Sequence, residues 1–192
     1  MKTQLVIALK FFLVMTILTG IVYPLLMTGL AQLFFHAKAN GSLVMKDGKI
    51  AGSELIGQKF DSTIYFWSRP SAIDYNPVPS GASNFGPTSE KLKKQVTERQ
   101  ASFAAKNSIT DITAIPKEMI FASGSGLDPH ISPGAALCQM ERVATARNFN
   151  TAQKQKVRQL IADMTEGPQY FLFGEPRINV FKLNLAVDNI RQ

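Results

Sequence analysis

The residues best suited to chemistry lie together in Ser123-Gly124-Ser125-Gly126-Leu127-Asp128-Pro129-His130-Ile131-Ser132-Pro133. A Gly-Ser-Gly turn between a strand and a capped helix can aim successive backbone N–H groups at one anion, and the helix end adds positive potential. Ser123, Gly124, Ser125 and Gly126 are on that ground the candidate contacts for ATP. Two features oppose the assignment. No G-x-x-x-x-G-K-[ST] pattern is present, so no lysine is placed to meet β- and γ-phosphates. Asp128 also sets a negative charge where the anion would sit. The sequence favours a structural turn over a nucleotide cradle.

The same stretch holds Ser123, Ser125, Asp128 and His130, the residue types of a hydrolase triad. Eight residues of loop rarely place nucleophile, base and orienting carboxylate in relay. Ser125 moreover stands in Ser-Gly-Ser-Gly, not in the G-x-S-x-G elbow. No catalytic residue is assigned. Nor is a metal site, because His36, His130 and the single cysteine, Cys138, show none of the spacings of a ligand set. A lone cysteine also excludes a disulfide scaffold.

What must position this loop is a chain of 192 residues with 21 Lys and Arg against 14 Asp and Glu. Phe11 to Phe35 is an uncharged run of 25 residues, 18 of them apolar. As a helix it reaches about 37 Å, enough to cross a roughly 30 Å hydrocarbon core with tilt. Ala37-Lys38-Ala39 imitates a signal cleavage site, but the apolar run is longer than a signal core of about 7–15 residues, so a retained anchor is expected. The reading divides the chain into a short cytoplasmic tail (1–10), a transmembrane anchor (11–35) and a soluble domain (36–192). The charge bias across the anchor is slight. A short tail staying inside while the domain crosses is the expected orientation.

Within the anchor, Thr16, Gly20, Pro24, Thr28 and Gln32 recur at every fourth residue and form a ridge of small and polar side chains on one helix face. In lipid, close approach over small residues and interhelical hydrogen bonds drive association. The ridge predicts a partner helix. The domain carries 19 basic and all 14 acidic residues, a net +5. Its charge is spread without aromatic interleaving, so nucleic acid is not an expected partner.

Elements follow from pattern. Lys46-Asp47-Gly48-Lys49 predicts a turn. Ile64–Trp67, Met119–Ala122 and Arg177–Val187 read as strands. Arg69–Pro87, with four prolines, reads as a long loop that packs on its own domain or on a partner. A helix begins near Thr88 or Ser89, with Leu92, Val96, Arg99 and Phe103 inward and Lys91, Lys93, Lys94 and Glu98 in solvent. Ser132 caps a second helix with Pro133 at its first position, ending near Asn148 as a left-handed terminator. Thr151 opens a third, with Val157, Leu160, Ile161 and Met164 on one stripe and Gly167-Pro168 beyond its end. Arg142 and Arg147 are read as reaching neighbours or solvent. The fold class is a single transmembrane helix followed by a small α/β or α+β extracytoplasmic domain.

Several stretches together resemble one family. They are Leu55–Gln58, Tyr65-Phe66-Trp67-Ser68-Arg69-Pro70-Ser71-Ala72, Ser80–Pro87, Ser123–Ser132, Arg142-Val143-Ala144, and Arg177–Val180 with Leu183-Asn184. This set is similar to the KdpC subunit family of the bacterial Kdp potassium-transporting ATPase, over essentially the whole chain. Ala82 and Phe85 stand where the family more often has Gly and Leu. The resemblance implies a non-catalytic inner-membrane subunit alongside a potassium-conducting subunit and a P-type, ATP-hydrolysing one. It also implies a role in assembly and, by family description, a catalytic chaperone that raises ATP affinity. An extracytoplasmic domain cannot touch ATP, so assembly is the stronger implication, with Asp128 and the ridge (Thr16, Gly20, Pro24, Thr28) as partner contacts. The alternative is a membrane-tethered nucleotide-binding domain facing the cytoplasm.

The ridge gives a first prediction. Replacing Gly20 by Leu should hold two helices apart and lower the yield of associated subunits in mild detergent. Unchanged co-purification would mean that the ridge faces lipid.

Overall fold

A computed structural model describes residues 1–190. Two compact units divide between Ser53 and Glu54. The first is dominated by one continuous helix of 33 residues, Lys2–Phe34, about 50 Å long. It comprises α1 (Lys2–Ile17), a π-helical turn (Leu18–Val22) and α2 (Tyr23–Phe34). The π turn has a local cause. Pro24 has no N–H to offer the Gly20 carbonyl, and the Tyr23 N–H donates five residues back, to Leu18. Thr16 and Thr19 donate to the carbonyls of Phe12 and Met15 at 2.8 and 2.7 Å. A Cβ on Gly20 would meet nothing within 4 Å. A short α3 (His36–Ala39) and the hairpin β1 (Leu43–Lys46) and β2 (Lys49–Ser53) complete the unit, with the turn at Asp47-Gly48 as expected.

The second unit is a mixed helix-and-sheet domain, so the chain has the expected class: one long apolar helix followed by a small α+β domain. Its helices are α4 (Glu90–Asn107), α5 (Pro133–Ala146), α6 (Thr151–Asp163) and α7 (Val180–Asp188). Its sheet is minimal: β3 (His130–Ile131) pairs antiparallel with β4 (Ile178–Asn179). Capping sets the helix starts. Ser89 Oγ accepts from Leu92 N–H, and Ser132 Oγ from Ala135 N–H at 3.1 Å. Asn148 takes the left-handed conformation after α5, with φ 54°. α6 starts at Thr151, but its cap is Asn150 rather than Thr151, because Asn150 and Gln153 form a reciprocal capping box. The core gathers Ala135, Val143, Val157, Ile161, Ile178, Leu183 and Phe66. Lys91, Lys93, Lys94 and Glu98 lie in solvent.

Three expected strands are corrected. Arg177–Val187 yields only two strand residues. Asn179 Oδ1 accepts from Lys182 N–H at 3.1 Å, which starts α7 at Val180. The buried positions 180, 183, 184 and 187 follow the helical i, i+3, i+4, i+7 period, hidden in the sequence because Asn184 is polar. Met119–Ala122 instead leaves a 3₁₀ turn (Lys117–Met119). The N–H groups of Met119 and Ile120 donate to Pro116 and Lys117 carbonyls rather than across a sheet.

The third, Ile64–Trp67, joins no sheet: Ile64 and Tyr65 lie in a turn where Tyr65 N–H donates to the Ser62 carbonyl at 3.3 Å. Side chains of two helices take the place of a neighbouring strand. Asn184 of α7 accepts from Phe66 N–H at 2.8 Å and donates to the Phe66 carbonyl at 2.9 Å. Gln139 of α5 does the same for Trp67, at 2.8 and 3.3 Å. Arg142 donates to the carbonyls of Thr63 and Tyr65, and Arg147, just past α5, to that of Ile64. Arg142 and Arg147 thus hold the domain's interior together, contrary to the expectation that they reach solvent or neighbours.

Truncating Asn184 to Ala would leave both backbone groups of a fully buried Phe66 unpaired. The expected cost is about 2–4 kcal/mol, read as a lower urea midpoint of the full chain in detergent. A loss under about 1 kcal/mol would mean that the segment finds other partners. Lys94→Ala on the solvated face should leave the midpoint in place.

Candidate functional site

The Ser123–Ser132 loop is held from three sides. Gly57 N–H donates to the Leu127 carbonyl at 2.7 Å, and Val180 N–H to that of Pro129 at 2.9 Å. From the long Arg69–Pro87 segment, Gly81 N–H and Ser80 Oγ both donate to the Ser125 carbonyl at 3.1 Å. Ser123 N–H donates in turn to the Pro70 carbonyl at 3.0 Å. The proline-rich segment therefore packs on its own domain, one of the two arrangements expected for it.

Two glycines make this approach possible. A Cβ on Gly57 would lie 2.6 Å from the Asp128 carbonyl oxygen. Gly126 has φ +72°, and a Cβ there would lie 2.5 Å from Ile73 Cγ1 and 2.9 Å from the Gly81 carbonyl oxygen. Gly124 differs, for a Cβ on it would meet nothing within 4 Å.

Of the four cradle candidates, Ser123 and Gly126 have their N–H groups engaged inside the fold, and the adjoining Leu127 N–H is engaged as well. Ser123 N–H goes to Pro70, Gly126 N–H to the Ser123 carbonyl at 3.3 Å, and Leu127 N–H to Ser125 Oγ at 3.1 Å. Helix α5 opens only at Pro133, beyond β3, so its N-terminus does not follow the Gly-Ser-Gly turn directly. Ser123 is buried, whereas Gly124 and Ser125 are exposed. Beside them lies an open groove of about 520 Å³, walled by Leu55, Ile56, Leu127, Asp128 and Pro129.

Asp128 is the electrostatic centre of the loop. Its Oδ2 receives Arg69 Nη1 at 2.9 Å, with both side chains under a third exposed. Its Oδ1 accepts from His130 N–H at 3.0 Å and lies 3.6 Å from His130 Nδ1. Burial pushes the carboxyl up, but the hydrogen bonds from His130 and Arg69, together with the charge of Arg69, outweigh it. The group is held below its ordinary 3.8. Its contribution to stability is therefore present above 3.8 and lost as pH falls through the lower folded value. Asp128 and His130 come together as a triad would need, but the Ser125 hydroxyl is turned onto Leu127 N–H. Among the described residues no three His, Cys, Asp or Glu side chains converge on a metal position.

The cluster that sequence reasoning missed surrounds a buried cation, Arg142. Arg142 Nε donates to Asn107 Oδ1 and Nη2 to Gln139 Oε1, each at 2.9 Å. Its guanidinium lies 3.6 Å from the Trp67 ring centroid. Among the described residues no carboxylate pairs with it, and burial lowers its pKa to about 10, which leaves it charged at neutral pH. The available signal was its pairing in sequence with Gln139 at i−3 on a helix whose other inward residues are apolar.

Comparison with known proteins gives the family. The family described as KdpC: K+-transporting ATPase, c chain, matches residues 5–189. The chain belongs to the KdpC family. A "Potassium-transporting ATPase KdpC subunit" of Methylococcus capsulatus is 50% identical over 188 residues, covering 96% of each chain. Those of Burkholderia ambifaria and Polaromonas naphthalenivorans are 48% identical, covering 98% and 100% of this chain and 97% of their own. The stretches that carried the KdpC resemblance are those that touch one another here. Tyr65–Ser68 meets Gln139, Arg142 and Asn184, and Arg69–Pro70 meets Ser123 and Asp128.

The glycines of this KdpC loop separate a structural turn from a phosphate cradle. Gly126→Ala should destabilise the full chain by about 2 kcal/mol or more, from strain and overlap, while Gly124→Ala should shift its melting by little. Equal effects of the two would contradict the structural role.

Proposed function

We propose that the chain is a non-catalytic accessory subunit of an ATP-driven potassium-transporting complex, held in the bacterial inner membrane by its N-terminal helix and needed for assembly. One observation carries this reading: relatives named as KdpC subunits match it at about half identity from end to end. Its partners are then a potassium-conducting subunit and a P-type, ATP-hydrolysing subunit. The long apolar helix and its Thr16, Gly20, Pro24 and Thr28 face supply the membrane contact. Asp128 joins the soluble domain's contribution through a loop locked to Arg69.

The N-terminus is taken to lie in the cytoplasm and the soluble domain outside it, in the periplasm of a Gram-negative cell. An effect on ATP affinity, the family's chaperone role, then passes through the partner subunit, without nucleotide at Ser123, Gly124, Ser125 or Gly126. The engaged N–H groups of Ser123 and Gly126 support this reading, as does the carboxylate beside the turn.

A reporter active only outside the cytoplasm, fused after Gln192, should be active. Calorimetric titration of the full chain with ATP should show no saturable submillimolar binding, for wild type and Asp128→Asn alike. Binding that tightens in Asp128→Asn would replace the proposal with a cytoplasm-facing nucleotide domain, because removing a negative charge helps an anion bind.

A further inference from the structure

Between α6 and β4 the chain makes a small projecting hairpin closed by Gln169 and Phe173. Their backbones exchange hydrogen bonds of 2.7 and 2.9 Å. Its tip is Tyr170-Phe171-Leu172-Phe173, exposed by 87, 99, 75 and 63%. Four successive large apolar side chains in solvent differ from singly scattered ones, which need no explanation. The turn is built rather than loose: Phe171 N–H donates to the Pro168 carbonyl and Leu172 N–H to that of Gln169, both at 3.1 Å. Tyr170 and Phe171 take φ of 54° and 61°, a conformation that bulky residues rarely adopt. Glycine would sit there without strain, and a polar residue would meet water better. Strained aromatics displayed on a fixed turn are the mark of a contact surface.

We infer that Tyr170–Phe173 is a docking tip that seats in an apolar pocket of a neighbouring protein subunit. The inference rests on the subunit reading above. Charge chooses between protein and bilayer. Segments that enter a lipid interface surround their apolar residues with Lys and Arg, which the anionic headgroups attract. Residues 165–176 contain Glu166 and Glu175 and no basic residue, within a domain whose net charge is +5. Glu166 is paired with Arg177 at 3.2 Å, and Glu175 forms no ion pair among the described residues. The receiving pocket is therefore apolar at its floor, with a cation or N–H donors at the rim where Glu175 arrives. Because the hairpin is already ordered, docking freezes little additional backbone, and aromatic residues centred in a pocket carry much of an interface's affinity.

The test uses the full chain co-expressed with the other subunits of its transport complex and purified in mild detergent. A photo-crosslinking benzoylphenylalanine placed at Phe171 should yield an adduct with one partner subunit. The same group at Lys94, on the solvated face of α4, should give none. The double variant Phe171→Ser, Leu172→Ser should lower the retained fraction about tenfold while leaving the chain's own melting unchanged, since neither side chain is buried. Glu175→Arg separates the two surfaces by sign, weakening retention for a basic-rimmed pocket and strengthening vesicle binding for a bilayer. Crosslinks to lipid alone, or an intact complex with no adduct and wild-type retention of the double variant, would overturn the docking tip and leave the subunit reading standing. Failure of the wild-type chain to co-purify at all would overturn both.

Discussion

Buried backbone must find hydrogen-bond partners, and in this domain the demand is met by side chains where a sheet would ordinarily meet it. The stretch 63–67 runs inward from an exposed Thr63 to a fully buried Phe66, and among the described residues no strand pairs with it. Asn184, Gln139, Arg142 and Arg147 supply the donors and acceptors instead. The amides suit this work because each carries a donor and an acceptor spaced to grip one residue's N–H and C=O together. The helices are thereby fixed to the segment as well as to each other. Arg69 and Pro70 continue from it, so the position of the Asp128 loop follows from the same clamp.

Much of the fold was legible because local rules dominated locally. Ser132-Pro133 and Ser89-Glu90 opened helices where capping chemistry says they should, Asn148 terminated α5, and the uncharged run of residues 11–35 announced a long apolar helix. The strands were misread for one shared reason. Apolar runs such as Ile64-Tyr65-Phe66-Trp67 report burial, and burial has several backbone solutions. A polar side chain that satisfies buried backbone looks, in sequence, like any surface Asn or Gln. Asn184 breaks the apolar stripe of α7 for the very reason that it is essential there, and Arg142 resembles an ordinary helix-surface charge.

The candidate loop was legible in its residues and less so in its roles. Gly126 stood among the candidate ATP contacts and Asp128 among the partner contacts, whereas within the fold Gly126 supplies a positive φ and Asp128 accepts from a backbone N–H and a basic group. That the basic group would be Arg69, 59 residues earlier in the same chain, is a matter of tertiary placement that spacing does not encode. The same holds for Gly57, whose lack of a side chain is required by a carbonyl 71 positions further along.

The clamp also sets a timetable. Phe66 waits for a residue 118 positions later, and Trp67 for one 72 later. At a synthesis rate of roughly 5–20 residues per second, the first of these intervals lasts about 6–24 s. During it an aromatic, partly apolar segment has emerged with its backbone uncommitted, while the helix Lys2–Phe34 is already complete. The domain cannot mature piecemeal from its N-terminal side. Its interior closes only when α7 arrives, and a chain cut short before Asn184 lacks the grip on Phe66, with Gln139, Arg142 and Arg147 left to hold the residues on either side.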